Sequence, residues 1–119
     1  MKDTLPTSIR VLAFDIILVD WKPHEARGLF GSFSALENTI RIDFSVDNIN
    51  VVDTLVHEIN HAIYWAYGIL DEDKEERTVS IFSSAWVQVY RDNPWLLRFI
   101  TDKLNLQEVK RCINQTEIE

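Results

Sequence analysis

The spacing of hydrophobic residues along this chain changes period near residue 50. Before that point the pattern favours strands. Residues 9–19 are rich in Ile, Val and Leu and predict one mostly buried strand. Residues 29–33 predict a short edge strand, and residues 39–44 alternate apolar with polar, which is typical of a strand with one solvent-facing side. Proline and glycine around residues 24–31 predict a loop between the first two strands.

After residue 50 the period becomes helical. Apolar residues recur three or four positions apart over residues 51–67, which predicts a helix with one buried face. Asn48 or Asn50 is placed to cap its start and Gly68 to end it. Two further helices are predicted at residues 74–91 and 95–104, the second of them beginning after a proline.

The order of these elements predicts an α+β fold. A small N-terminal β-sheet would pack on the first helix, and two or more helices would follow it. The second helix has an apolar stripe that we expect to face inward: Val79, Phe82, Trp86 and Val89. A length of 119 residues, with no repeat or linker, predicts a single domain spanning residues 1–119.

The first predicted helix carries an HExxH motif, His57-Glu58-Ile59-Asn60-His61. Residues i and i+4 lie one above the other on a helix, so the imidazoles of His57 and His61 can reach one ion. Imidazole nitrogen is a good ligand for Zn²⁺. Glu58 points to the side of this pair, where it can take a proton from water activated by the metal.

The direction of the two histidines supports a metal site. At about 100° per residue, both lie roughly 150–180° from the centre of the apolar stripe of the helix. That stripe consists of Leu55, Ile59, Ala62, Ile63 and Ala66. Histidines of a packed core would share the stripe, so His57 and His61 are predicted to face away from the sheet.

A catalytic zinc site usually has three protein ligands and one water. The remaining histidine, His24, lies upstream in the predicted loop. An acidic cluster lies downstream: Asp71, Glu72, Asp73, Glu75 and Glu76. Helical spacing places Glu75 in the inner stripe of the second helix and Glu76 on its flank. The alternative is a solvated first turn, in which acidic residues favour the helix dipole.

This arrangement resembles the small gluzincin-type metallopeptidases, and among them the phage and prophage proteins of the ImmA/IrrE group. In that group the third ligand is a Glu that begins a pattern ending in Phe and a small residue, and residues 76–83 fit this register. The resemblance therefore favours Glu76 as third ligand over Glu75. It also implies a minimal zincin-like fold, and an edge strand, near residues 29–33 or 40–44, that pairs with an extended substrate.

The function that follows is a zinc-dependent peptidase with Glu58 as general base. The sequence departs from the family in one respect, because no residue stands out as the oxyanion-stabilising Tyr or His. Tyr64, Tyr90 and His24 are the candidates for that role. The alternative functions are a weak or inactive zinc-binding regulatory protein of phage or prophage origin, and an interaction protein in which the motif is accidental.

Two other residues lie near the motif. Asp53 is one turn before His57 and could orient that ligand through a hydrogen bond. Trp65 lies nearer the histidine face than the other aromatic residues do, so it could form a wall of the cleft.

Composition limits the classes of partner that are expected. The chain is 46% hydrophobic and 26% charged, with a net charge of −7. An acidic surface repels the phosphate backbone, so nucleic acid is not an expected partner, whereas a peptide or protein substrate is. The longest apolar run is too short for a membrane span. The only cysteine, Cys112, cannot form an internal disulfide, and a cytoplasmic location is expected.

Overall fold

A four-stranded sheet packs one of its faces on the long helix that carries the HExxH motif. The computed structural model describes residues 7–26 and 28–105, without the side chains of residues 24 and 25. The elements in chain order are β1 Ser8–Val11, β2 Phe14–Asp20, α1 Pro23–Ala26, β3 Gly31–Ser34, β4 Thr39–Ile42, α2 Asn48–Ala66, α3 Glu75–Asp92 and a helix at 94–105, labelled α4. The predicted α+β class is confirmed.

The strands lie in the order β1-β2-β4-β3. The outer pairs are antiparallel, and β2 runs parallel to β4. The connection from β2 to β4 passes through α1 and β3. Because β3 pairs on the outer side of β4, it forms one edge of the sheet. This position confirms the predicted edge strand, although its bounds are shifted toward the C-terminus.

The prediction of one buried strand at residues 9–19 is wrong. The chain reverses at Leu12 and Ala13, so that Val11 pairs with Phe14 and two antiparallel strands result. Leu12 has a φ of 54°, a backbone conformation that turns usually assign to Gly or Asn. Because neither residue type is present, the sequence carries no turn signal here. Only one side of β2 is buried, since Ile17 is about half exposed.

The core lies between the sheet and α2. Ile9, Val11, Ile16, Ile40 and Ile42 cover the inner face of the sheet and pack against the apolar stripe of α2. Four members of that stripe, Leu55, Ile59, Ala62 and Ile63, are buried as predicted. Burial of this many β-branched and aliphatic side chains fixes α2 against the sheet.

The start of α2 is capped by a residue that the sequence did not single out. The carboxylate of Asp47 accepts a hydrogen bond from the backbone N–H of Asn50 at 3.1 Å, so neither Asn48 nor Asn50 is the cap. Gly68 has a φ of 64° and follows the last turn. The predicted end of the helix is therefore confirmed.

The predicted stripe of α3 is only partly correct. Val89 is buried and Phe82 and Trp86 are half-buried, but Val79 is 50% exposed. Both fully buried residues of α3, Ala85 and Val89, lie in its second half. The first half of the helix is therefore less buried than the second half, although its Phe82 packs against the core.

The end of α3 is joined to β1 by the side chain of Asn93. Its amide donates to the backbone carbonyls of Arg10 and Val89, and its oxygen accepts from the backbone N–H of Arg10. Pro94 then begins α4, as predicted for a proline at a first helical position.

Cys112 lies outside the described residues. None of the helices in residues 7–26 and 28–105 is long and apolar enough to cross a membrane.

Candidate metal centre

The two histidines of the motif converge on one point. The Nε2 atoms of His57 and His61 lie 3.1 Å apart, on adjacent turns of α2. Both side chains are exposed, on the side of α2 away from the buried stripe. The predicted direction of both residues is therefore confirmed.

The separation of the two nitrogens fits a shared metal ion. Two Zn–N bonds of about 2.0–2.1 Å at a tetrahedral angle place their nitrogens about 3.3 Å apart. The observed 3.1 Å is close to this value. A hydrogen bond between two imidazoles has a similar length, so the distance by itself fits both a bound cation and a shared proton.

Glu58 lies beside the histidine pair but is enclosed by the fold. Its side chain is 6% exposed, and what remains exposed lines the cleft described below. Burial raises the pKa of the Glu58 carboxyl above its ordinary value, and the nearby His57 and His61 partly oppose that shift. The carboxylate makes no hydrogen bond or ion pair within the described part of the chain. It is therefore available to a molecule in the cleft.

The acidic candidates for a third ligand do not lie with the histidine pair. Glu75 and Glu76 are exposed in the first turn of α3, where Glu76 accepts a long hydrogen bond from Ser80. Within residues 7–26 and 28–105, no three His, Cys, Asp or Glu side chains are grouped closely enough to hold a metal ion. The described part of the site therefore consists of two convergent imidazoles and one free carboxylate.

A cleft of about 670 Å³ opens beside Glu58 and His61, between α2 and the edge strand β3. Gly31, Ser32 and Phe33 form the strand side of the cleft. The close approach of strand and helix requires glycine at position 31, because a Cβ there would lie 2.5 Å from Cγ2 of Thr54. The cleft therefore runs along an exposed sheet edge with the motif at its side.

The hydrogen-bond pattern of β3 leaves main-chain groups facing this edge. The carbonyl of Phe30 accepts a bond from the N–H of Asp43, which lies directly opposite on the β4 side. Antiparallel strands form such bonds at alternate residues. The N–H and C=O groups of Gly31 and Phe33 therefore point away from β4, toward the open edge.

Aromatic rings form the far wall of the cleft. Trp65 packs against Phe14 and Phe33, with ring centroids 4.6 and 5.9 Å apart. Its place in the lining agrees with the prediction that Trp65 forms a wall. Through Phe14 the cleft also involves β2, an element that the sequence analysis did not associate with the motif.

The candidates for stabilising an oxyanion differ in position. Tyr64 lines the cleft, but its hydroxyl donates to Asp71 at 2.7 Å, and this bond is the main reason that the pKa of the phenol is raised. Tyr90 packs on Trp86 at a centroid distance of 5.3 Å. His24 belongs to α1, and its side chain lies outside the description. Of the two tyrosines, Tyr64 contributes to the cleft lining and Tyr90 does not.

One contact of the site was not predicted from the sequence, and one predicted contact is absent among the residues described. Trp86 of α3 donates its indole N–H to Oδ1 of Asn60 at 3.0 Å, inside the motif itself. Asp53 is exposed and makes no hydrogen bond to His57 among the residues described, so the proposed orienting contact is absent. The only sequence signal for the strand side was Gly31, since glycine in a strand often marks a close backbone approach.

Because the comparisons with known proteins found no match, a functional assignment rests on the geometry of α2, β3 and α3. No family model matches the sequence, and searches of curated proteins and of solved structures likewise found no match.

Proposed function

We propose that this protein is a zinc-dependent peptidase in which Glu58 is the general base. The observation that carries the proposal is the convergence of the His57 and His61 nitrogens, 3.1 Å apart, beside a buried carboxylate and an open strand edge. A metal-binding pair, a proton acceptor and a surface for an extended chain are the parts that peptide hydrolysis needs.

The ligands proposed for zinc are His57 and His61, through Nε2, together with Glu76. The last follows the register of the ImmA/IrrE resemblance, and Glu75 is its alternative. Either glutamate would have to approach the histidines by a movement of the first half of α3, which contains no fully buried residue. When bound, zinc supplies Lewis acidity, which makes water easier to deprotonate and a carbonyl group easier to attack.

Glu58 moves the proton in this proposal. It accepts a proton from water as the water oxygen bonds to the peptide carbonyl carbon, and then donates it to the amine nitrogen as the C–N bond breaks. Its enclosure suits both steps, because burial raises the pKa of the carboxyl and makes it a better proton acceptor than an exposed glutamate.

β3 would hold the substrate. The free main-chain groups of Gly31 and Phe33 offer hydrogen bonds to an extended peptide, which would join the sheet as a further strand. Glu58 and His61 line the same cleft, so a peptide paired with β3 passes beside the reactive groups. This geometry favours unfolded or extended segments of protein over small polar molecules.

Replacement of Glu58 by Gln tests the proposal. The wild-type protein, purified without an affinity tag, should contain one zinc ion and cleave denatured casein. Glu58→Gln should lose cleavage by about 10²–10⁴-fold, the usual contribution of a general base, with its zinc content unchanged. Glu37→Gln is the matched control, because Glu37 forms an exposed ion pair with Arg41 away from the cleft.

Two results would contradict the peptidase. A protein that neither contains zinc nor is stabilised by added zinc has no metal site, since a ligand that binds only the folded state must raise its stability. Equal cleavage by the wild-type and Glu58→Gln proteins would show that activity comes from elsewhere, such as a contaminating protease.

A second function is favoured by two features of the site. The described residues supply two ligands without a third, and the hydroxyl of Tyr64 is engaged by Asp71. Both features suit a zinc-binding regulatory or interaction protein with weak or no catalysis. In that case zinc binding would depend on His57 and His61 as before, whereas Glu58→Gln would leave the biological role intact.

A further inference from the structure

Trp65 lies in the lining of the cleft. Two rings hold it in place, Phe14 at 4.6 Å and Phe33 at 5.9 Å between centroids, yet 37% of it remains exposed. Tryptophan is rarely buried completely, so a partly exposed ring is open to contact with a molecule in the cleft. The exposed part belongs to the cleft lining, beside Gly68 and Ile69.

The pleat of β3 decides which side chains of a paired peptide face this tryptophan. A Cβ at Gly31 would point at Thr54 of α2, and the ring of Phe33 contacts Trp65 of α2. Positions 31 and 33 therefore face the helix, as expected for residues two apart in a strand. Directly opposite residues on neighbouring strands point to the same side. The peptide residue opposite Phe33 would therefore point toward Trp65.

The residues that line this part of the cleft favour one class of peptide side chain. Besides Trp65, the lining includes the apolar residues Phe33 and Ile69, and the carboxylate in it is that of Glu58. The hydroxyl of Tyr64, which also lines the cleft, already donates to Asp71. The carboxylate of Glu58 lies further along the cleft and would repel an acidic side chain. A large apolar side chain gains the most contact here and leaves no polar group unpaired.

We propose that Trp65 is a specificity-determining residue, which receives a large apolar side chain from the peptide residue opposite Phe33. The inference rests on the proposed function, because it requires an extended peptide on β3. It adds the substrate class: segments with an aromatic or long aliphatic residue next to the scissile bond, and not with glycine or an acidic residue there.

Peptide binding to the zinc-loaded Glu58→Gln protein tests this without turnover. The probes are fluorescent heptapeptides of Ala and Ser with one central position occupied by Phe, Leu, Gly or Asp. We expect the Phe and Leu peptides to bind about tenfold or more tighter than the Gly peptide, the range that one apolar pocket provides. Adding Trp65→Ala should reduce that preference to less than about twofold, while Trp65→Phe should keep most of it.

The matched control is Leu36→Ala, because Leu36 is 97% exposed in the turn between β3 and β4, away from the cleft lining. That variant should bind all four peptides as the parent does. A second measurement needs no change in the cleft: a peptide with photoreactive benzoylphenylalanine at the central position should cross-link to the segment containing Trp65. This keeps the inference testable if Trp65→Ala does not fold.

The outcomes separate the inference from the function on which it rests. If the parent binds all four peptides equally, or the cross-link falls elsewhere, the role of Trp65 is wrong while peptide binding stands. If no peptide binds to the parent, the peptidase proposal fails and the role of Trp65 fails with it.

Discussion

The two sides of α2 differ in how firmly the fold defines them. On the β3 side, Gly31 lies directly on Thr54 and the ring of Trp65 is held between Phe14 and Phe33. On the α3 side, one hydrogen bond, from Trp86 to Asn60, reaches the motif. The side that would hold a substrate is therefore tightly packed, and the side that would complete a metal site is not.

This difference indicates which interactions stabilise each part of the site. Burial of apolar surface fixes β3, α2 and the cleft between them with no ligand needed. The first turn of α3, which carries Glu75 and Glu76, is exposed, and the first half of the helix packs on the core through the half-buried Phe82. A third ligand from Glu75 or Glu76 would therefore depend on the metal itself for its ordering, since binding and ordering are thermodynamically coupled.

The largest effect should come from the ligands, measured as zinc affinity by competition with a chelator. His57→Ala or His61→Ala should weaken zinc binding by more than about 100-fold, the upper range for residues that only support a ligand. Glu76→Gln should weaken it by about 10–100-fold if α3 closes on the metal. Glu75→Gln, a change one residue away on the same exposed turn, is the matched control and should have little effect.

The two glutamate variants also decide between the ligand sets. A large loss in Glu75→Gln with none in Glu76→Gln would reverse the assignment that the family register suggests. No loss in either variant would mean that α3 does not contribute a ligand. The zinc site would then consist of the two histidines and a group from outside the described residues, from solvent or from a partner.

Adding one methyl group on the β3 side of α2, at Gly31, should lower the free energy of unfolding. Gly31→Ala would place a Cβ 2.5 Å from Cγ2 of Thr54 and 3.0 Å from the carbonyl oxygen of Arg41. Such overpacking typically costs about 1–3 kcal/mol, which urea unfolding can measure. Thr54→Ser removes the nearer methyl group, so the double variant should recover part of this loss.

Gly28→Ala is the comparison that separates crowding from backbone strain. Its Cβ would meet no atom within 4 Å, but its φ of 84° penalises any side chain. The cost there should not change when Thr54 is shortened. If Thr54→Ser gives no recovery in the Gly31→Ala background either, the close contact between β3 and α2 is not what limits position 31.

A smaller effect is expected at the contact between α2 and α3. Trp86→Phe removes the indole N–H and leaves Oδ1 of Asn60 without its donor, a loss of about 1 kcal/mol. Trp95→Phe is the control, because the indole of Trp95 makes no hydrogen bond within the described chain. An unchanged free energy of unfolding in Trp86→Phe would mean that water replaces the indole, and that this hydrogen bond does not help to hold α3 against α2.

The sequence predicted the parts of this molecule that depend on local spacing. The stripe of α2, the direction of His57 and His61 and the edge position of β3 all follow from helical or strand periodicity, which one segment of chain carries by itself. The parts it missed depend on partners distant in sequence. The turn at Leu12 has no glycine, and the place of Val79 depends on how far the sheet extends beneath α3.

The same distinction applies to the candidate site. Helical geometry is enough to bring two imidazoles together, because both lie on α2. A third ligand requires the relative position of two helices, which the pattern of either helix does not contain. The arguments from the stripe and from the family register favoured different glutamates for that reason, and the structure keeps both exposed and apart from the histidines.

The smallest effect concerns the stability of the metal-free protein. Burial raises the pKa of Glu58 in the folded state above its ordinary value of 4.5, so the folded protein disfavours the ionised form. A carboxyl with a raised folded pKa makes unfolding easier as the pH rises from the unfolded pKa through the folded one, and the penalty is complete above both. Glu58→Gln should therefore melt at a higher temperature than the wild type at neutral pH.

The stability difference has a defined dependence on pH. It should shrink as the pH falls toward and below the ordinary pKa of a glutamate, where the wild-type carboxyl is protonated in both states. Thermal unfolding of both proteins, without metal and at several pH values, measures it. A group that costs stability in the resting protein is typical of one retained for chemistry. A wild type more stable than Glu58→Gln at neutral pH would instead indicate a structural role for the carboxylate.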